Sequence, residues 1–318
     1  MSMNDVLVLT VRKGFWASQA CEVFPNRLYT PVLYGPSHSL VNSGLLALRG
    51  LVEIRRRRPK LVLVGYSHRV APWLAAARRL GLLRGARLVI TNRKGLPDGH
   101  AHLVNRIVEY SLAELALRPP VIRERSVFVP LAPPGDFERV RPAASEGEYV
   151  FAGGGGLRDF PSLIEAFRGL EARLLIVTFS RDTLGYEGPL PHNCEVRYRM
   201  PLQSFLELMA GAKLVVAPLQ PSLEPHGQTT VAQALRLGKA VVATRNASLD
   251  DYIADEREGL LVDARDVDGY RRAIERLLDD DALRAACESA ARVRASDLTN
   301  EAHAARLVAL CREVLAEP

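Results

Sequence analysis

The sequence predicts an α/β protein of two doubly wound domains. Three observations carry this. Short apolar segments of strand length alternate with amphipathic stretches of helical period along the whole chain. The apolar segments, such as LVLV at 61–64 and LVVA at 214–217, do not alternate with polar residues, as expected of parallel strands covered on both faces. The pattern breaks once, at the Pro, Ser, Gly and acidic segment 142–148, which reads as a linker. At 318 residues the chain has room for two such domains, expected at 1–145 and 146–318.

In the first half, Val6 to Val11, Leu61 to Val64, Ala86 to Thr91 and Val127 to Val129 read as strands. Leu40 to Arg56, Val70 to Leu82 and Leu103 to Leu117 read as helices, the first with Leu45, Leu46, Leu48, Leu51 and Ile54 at helical spacing. In the second half the strands are Tyr149 to Ala152, Arg173 to Val177, Glu195 to Tyr198, Leu214 to Ala217, Ala240 to Ala243 and Leu260 to Val262. Val267 to Leu278, Asp280 to Arg294 and Asn300 to Glu317 close the second domain as helices. Open sheets of this kind bind ligands beyond the carboxyl ends of their strands, so the site is expected in a cleft that the two domains face.

Composition narrows the function. With 48% hydrophobic and 25% charged residues the chain is globular, not disordered. No apolar run reaches bilayer length, and the short VLVLTV near the start has neither the basic flank nor the cleavage site of a signal peptide. The four cysteines show no CxxC spacing, which fits free thiols in a cytoplasmic protein. Charge is uneven: residues 1–141 hold 22 Lys and Arg against 9 Asp and Glu, and the remainder 20 against 27. The basic first half suits an anionic acceptor, a lipid-linked one, or the inner face of a membrane. Nucleic acid is not expected, since aromatics do not interleave the basic residues.

Two segments carry the chemistry. After the strand at 149–152 comes Gly153-Gly154-Gly155-Gly156-Leu157-Arg158. The glycines admit close approach of a ligand to the backbone, and Arg158 supplies charge for a diphosphate. A dinucleotide fingerprint fails here, because Arg158 stands where a third glycine belongs and no acid ends the next strand. The second segment is Glu224-Pro225-His226-Gly227-Gln228-Thr229-Thr230, followed by an amphipathic helix, Gly238-Lys239 and a buried strand. A helix starting after Gly227 turns its first amides, at Gln228, Thr229 and Thr230, toward an anion. Glu224 and Gln233 would flank that helix end. Asp266-x-Asp268 and Asp279-x-Asp281 precede helices and read as caps, so no metal is expected. Lys239 reads as a cap for the end of its helix. His68 follows the buried strand LVLVG, at a strand end.

Taken together and in order, the glycine-ended strand with its basic residue, the helix LIEAF, QALRLGKAVVAT, REGLLVDARD and IERLLDDDALR resemble the donor domain of GT-B glycosyltransferases, close to retaining family 4, over Tyr149 to about Val314. The first half resembles that family only in its alternation and in GYSHR. The resemblance implies a metal-independent hexosyltransferase that uses a UDP-, GDP- or dTDP-sugar as substrate and no cofactor. It implies retention of configuration, with Glu224 at the sugar hydroxyls and His68 near the anomeric carbon. The family's second glutamate, which holds the ribose, falls on Gln233. Eight residues rather than seven separate it from Glu224, and an amide replaces the carboxylate. Gly154, Gly155, Arg158, Gly227, Gln228, Thr229, Thr230 and the first-domain Lys13 (or Arg12) would hold the diphosphate. Arg199, Met200 and the loop Phe179 to Asp182 would meet the base. A GT-B-shaped protein that binds a nucleotide without catalysis is the alternative.

Overall fold

The computed structural model describes residues 3–10, 23–29, 40–65, 70–91, 96–141, 149–222 and 226–317. Each of its two compact units holds one six-stranded parallel sheet.

The first unit comprises Met1–Pro130 and Asn300–Pro318. Its strands are β1 (Val6–Thr10), β2 (Asn26–Tyr29), β3 (Leu61–Gly65), β4 (Arg87–Thr91), β5 (Arg106–Glu109) and β6 (Ser126–Phe128), in the order β2-β1-β3-β4-β5-β6. Helices α1 (Leu40–Arg57) and α2 (Ala71–Arg79) cover one face. Leu46, Ala47 and Ile54 of α1 and Ala71, Leu74 and Ala75 of α2 share a core with Leu7, Leu9, Val62 and Val64. The short helices α3 (Leu112–Ala116) and α4 (Pro120–Arg123) lie between β5 and β6.

The second unit, Leu131–Thr299, has β7 (Tyr149–Gly153), β8 (Arg173–Thr178), β9 (Cys194–Tyr198), β10 (Leu214–Ala217), β11 (Val241–Thr244) and β12 (Gly259–Val262). Their order is β12-β11-β10-β7-β8-β9. Its helices are α5 (Phe160–Phe167), α6 (Arg181–Leu184), α7 (Leu202–Ala210), α8 (Gln228–Arg236), α9 (Val267–Asp279) and α10 (Asp281–Ala295). Strand β7 is fully interior, with Val150, Phe151 and Ala152 all buried, so its end lies at the centre of the sheet edge.

Three expectations need correction. The helix expected at Leu103 to Leu117 is instead strand β5 followed by α3. Its apolar residues recur at helical spacing, but Ile107 and Val108 are both fully buried, one on each face of the sheet. Pairing with β4 and β6 outweighs the periodicity. Strand β2 adds a segment for which no element was expected. The units also divide at 130/131 rather than at 145/146, and the last helix, α11 (Asn300–Ala316), belongs to the first unit. Ala304, Leu307, Leu310, Cys311 and Val314 of α11 pack on Val6, Val8, Leu61 and Leu63, opposite α1 and α2. Arg87 and Arg106 pair with Glu317 at its end. The linker segment 142–148 lies outside the described residues.

Of the two acidic pairs, Asp266 is a cap with Asp268 in the first turn, whereas Asp279 ends α9, Asp281 opens α10, and the cap there is Asp280 between them. Asp266 accepts from Gly269 N at the start of α9, and Asp280 from Leu283 N at the start of α10. Among the described residues no group of three His, Cys, Asp or Glu could hold a metal ion, and no helix is long and apolar enough to cross a membrane.

Candidate functional site

In the second sheet the chain runs from β7 outward through β8 to β9, then returns to place β10 on the other side of β7. The order reverses between β7 and β10, which is where open α/β sheets bind ligands. The glycine loop follows β7, and the loop leading to α8 follows β10. Both therefore meet at the switch point.

The glycine loop is shaped by Arg158. Gly154 has φ +117° and donates its N–H to Val177 O at 3.0 Å. A Cβ there would lie 2.7 Å from Arg158 Nη2, so this position needs glycine both for its backbone and for its space. Arg158 turns back under the loop. Its Nε donates to Gly153 O at 3.2 Å, Nη1 to Gly156 O at 3.1 Å, and Nη2 to Thr230 Oγ1 at 2.8 Å. One side chain thus ties the loop to the first turn of α8. The guanidinium is buried and no carboxylate pairs with it among the described residues, so burial draws its pKa down to about 10. Three of its five N–H groups are used; two remain.

The approach to α8 is held firmly. Asp159 N donates to Pro218 O, Gln220 N to Leu157 O, and Gln220 Nε2 to Arg158 O. Leu219 N donates to Thr244 Oγ1 at 2.5 Å, from the end of β11. Leu219 then fills the space a Cβ at Gly227 would need, 2.7 Å away, and Gly227 has φ +87°. With Gly227 in the left-handed region as the residue before the helix, α8 begins at Gln228, as expected. The amides of Gln228, Thr229 and Thr230 have no partner within the helix by geometry, and they carry the positive end of its dipole. Gln228 is buried, and its Nε2 has no hydrogen-bond partner among the described residues. Buried amides rarely stay unsatisfied, so this donor marks a place for an acceptor.

Gln233 lies about one and a half turns in and is buried. Its Nε2 donates to Pro134 O at 2.9 Å, which anchors residues 131–134 on α8. A carboxylate could not make this bond, and this gives a structural reason for the amide. The bond also turns Oε1 the other way, and no hydrogen bond to Oε1 occurs among the described residues.

At the far side of the loop, a Cβ on Gly155 would fall 2.4 Å from the Phe179 ring. Phe179 follows the last residue of β8 and is 63% exposed. Arg199, at the end of β9, donates its backbone N–H to Thr178 O at 2.9 Å and its Nε to Phe179 O at 3.3 Å. Met200 follows it, half-buried. Leu157 and Arg199 are non-glycine residues at φ 56° and 53°, and such strain gathers at functional sites. The structure therefore brings together Gly154, Gly155, Arg158, Gly227, Gln228, Thr229, Thr230, Arg199 and Met200 along the carboxyl edge of one sheet. The sequence marks Phe179 only as part of the loop 179–182; its exposed ring against Gly155 is visible in the structure alone. Lys239 caps the end of its own helix through its backbone N–H, which donates to Ala234 O at 3.0 Å, while its Nζ donates to Ala212 O at 2.7 Å, just past α7. Lys13, His68 and Glu224 lie outside the described residues.

Comparisons with known proteins bear on the fold and the family. Residues 156–280 match the family model described as "Glycosyl transferases group 1". No curated protein matches the sequence. Among solved structures, sucrose-phosphate synthase from Thermosynechococcus elongatus is similar over 97% of this chain and 99% of its own, at TM-score 0.72 and 14% identity. A glycosyltransferase from Rickettsia africae is similar over 98% and 99%, at TM-score 0.70 and 11% identity. Anabaena HepE, solved with UDP-glucose, is similar over 96% and 99%, at TM-score 0.70 and 12% identity. Residues 156–280, which run from the end of the glycine loop through α8 to α9, thus match a group 1 glycosyltransferase model, within a chain that has the fold of the GT-B glycosyltransferases.

Proposed function

We propose that the chain is a metal-independent glycosyltransferase that moves a hexose from a nucleoside diphosphate sugar to an acceptor, with retention of configuration. One observation carries the donor assignment. Arg158, a buried cation without a carboxylate partner among the described residues, bonds to the first turn of α8 and keeps two N–H groups unused. Cation, helix dipole, glycine-loop amides and Gln228 Nε2 all favour an anion at the same point. As the sugar leaves, negative charge grows on the diphosphate, and these fixed donors stabilise it without reorganising. Gln233 Oε1 accepts from a ribose hydroxyl, and Phe179, Arg199 and Met200 receive the base. Glu224 at the sugar hydroxyls, His68 at the anomeric carbon and Lys13 at the diphosphate follow from the family resemblance. The nucleotide sugar is itself the substrate, and no cofactor is invoked.

UDP is the first donor nucleotide to try, since HepE was solved with UDP and UDP-glucose. The acceptor is anionic or lipid-linked, in keeping with the basic first half at a cytoplasmic membrane surface. Gln233 in place of a carboxylate favours a second reading, a binding protein without catalysis. A thermal shift across UDP, GDP, ADP and dTDP, followed by a sugar-release assay on the matching donor, decides. Binding with slow release supports the transferase. Binding with no release, even with acceptor extracts present, supports the second reading. No binding removes both.

A further inference from the structure

One face of the first unit has no part in donor chemistry. Helices α1 and α2 lie on the same side of the sheet and share its core, with α11 on the other side. Helical spacing turns Leu48 and Val52 of α1 outward, and they are 60% and 59% exposed. On α2 the outward stripe is Trp73, continued by Leu80 and Leu82 just past its end, at 53%, 73% and 50% exposure. Gly44, four residues before Leu48, joins the stripes: a Cβ there would meet the Trp73 ring at 3.9 Å. Clustered apolar exposure of this kind marks an interaction surface.

The surroundings are strongly basic. Residues 40–91 contain eleven Lys and Arg against one acid, Glu53, which already pairs with Arg56 and Arg57. Arg49, Arg55, Arg58, Arg79 and Arg84 are exposed. Where the two helices end, a cavity of about 260 Å³ is lined by Ile54, Arg58, Pro59, Leu83 and Arg84, two of them arginines suited to a phosphate headgroup. A second copy meeting this face with its own would bring the same positive charge and be repelled. An anionic bilayer supplies both the opposite charge and an apolar layer. Tryptophan favours that boundary, with its ring in the acyl edge and its N–H in the headgroups.

We propose that the outer face of α1 and α2 docks on anionic lipid membranes, with Leu48, Trp73 and Leu80 entering the headgroup–acyl boundary and the arginines on lipid phosphates. This sharpens the acceptor-side reading above and is independent of the donor chemistry. The test is co-flotation of the full chain with vesicles of phosphatidylcholine alone or mixed with phosphatidylglycerol, at low and high salt. Binding is expected only with phosphatidylglycerol. The triple variant Arg49→Gln, Arg55→Gln, Arg79→Gln should lose about a hundredfold in partitioning. The variant Leu48→Ser, Trp73→Ser, Leu80→Ser should lose the fraction that resists salt, since charge alone is screened. Both variants should keep the wild-type melting curve and nucleotide thermal shift, which separates loss of the membrane from loss of the donor site. The proposal is overturned by absence of binding at low salt, by equal binding to neutral vesicles, by variants that bind like wild type, or by a dimer that the serine variant converts to monomer.

Discussion

Replacing Arg158 by Met removes the charge while keeping much of the side-chain volume, and the structure sets the size of the effect. Burial lowers the Arg158 pKa from 12.5 to about 10, equivalent to roughly 3 kcal/mol disfavouring the cation. Loss of the charge-assisted hydrogen bonds to Gly153 O, Gly156 O and Thr230 Oγ1 costs about 1.5–3 kcal/mol each. Relief of the buried charge offsets part of this, so the variant should fold with a lowered melting temperature. Nucleotide binding has no such compensation. A charge-assisted hydrogen bond to the diphosphate contributes about 1.5–3 kcal/mol, so UDP affinity should fall roughly 10- to 150-fold. Calorimetric titration with UDP and with uridine checks this. Uridine lacks the diphosphate, and its affinity should be unchanged. Wild-type UDP affinity in the variant, or equal losses for UDP and uridine, would refute the diphosphate role of Arg158.

Gly154→Ala should destabilise by about 1–3 kcal/mol, because φ +117° suits no L side chain and Arg158 blocks the Cβ; chemical denaturation measures it. Gly155→Ala should leave stability nearly unchanged, since the exposed Phe179 ring can swing aside, while weakening uridine binding. Gln233→Glu, although it restores the family's acid, should lower stability by about 1–3 kcal/mol by setting an oxygen against Pro134 O; an unchanged melting temperature would show the amide is not needed there. His303 is buried, bonds through Nδ1 to Pro130 O, and has its pKa lowered by desolvation. The unfolded chain then binds the proton more readily than the folded one. The stability contributed by neutral His303 should be intact above the ordinary value of 6.5 and fall as pH drops below it, and His303→Gln should flatten that slope.

The second unit was readable because its local signals agree with its packing. Its strands other than the edge strand β9 are short apolar runs, Asp266 and Asp280 sit where caps belong, and Gly227 is the residue type suited to start α8 at φ +87°. In the first unit, Leu103, Val104, Ile107 and Val108 keep a helical period by coincidence, and only β4 and β6 on either side make a strand of them. The placement of α11 was hidden for a similar reason. Its apolar stripe fits either sheet, and sequence does not say which. At the site, the residue types pointed to an anion, but not to Arg158 lying beneath the loop with part of its donor set already spent. Gln233 looked like a weakened ligand. Its bond to Pro134 O, almost a hundred residues away in sequence, shows a structural task that spacing could not reveal.

The central claim is that the Gly154–Arg158 loop and the start of α8 form a sugar-nucleotide site that performs transfer. Sugar release from nucleotide donors by the purified chain, compared with the Arg158→Met variant, tests it most directly. The account predicts that one donor, UDP-linked first among candidates, is slowly hydrolysed by the wild type and at least tenfold more slowly by the variant. No release from any donor, or equal release by both proteins, would contradict it.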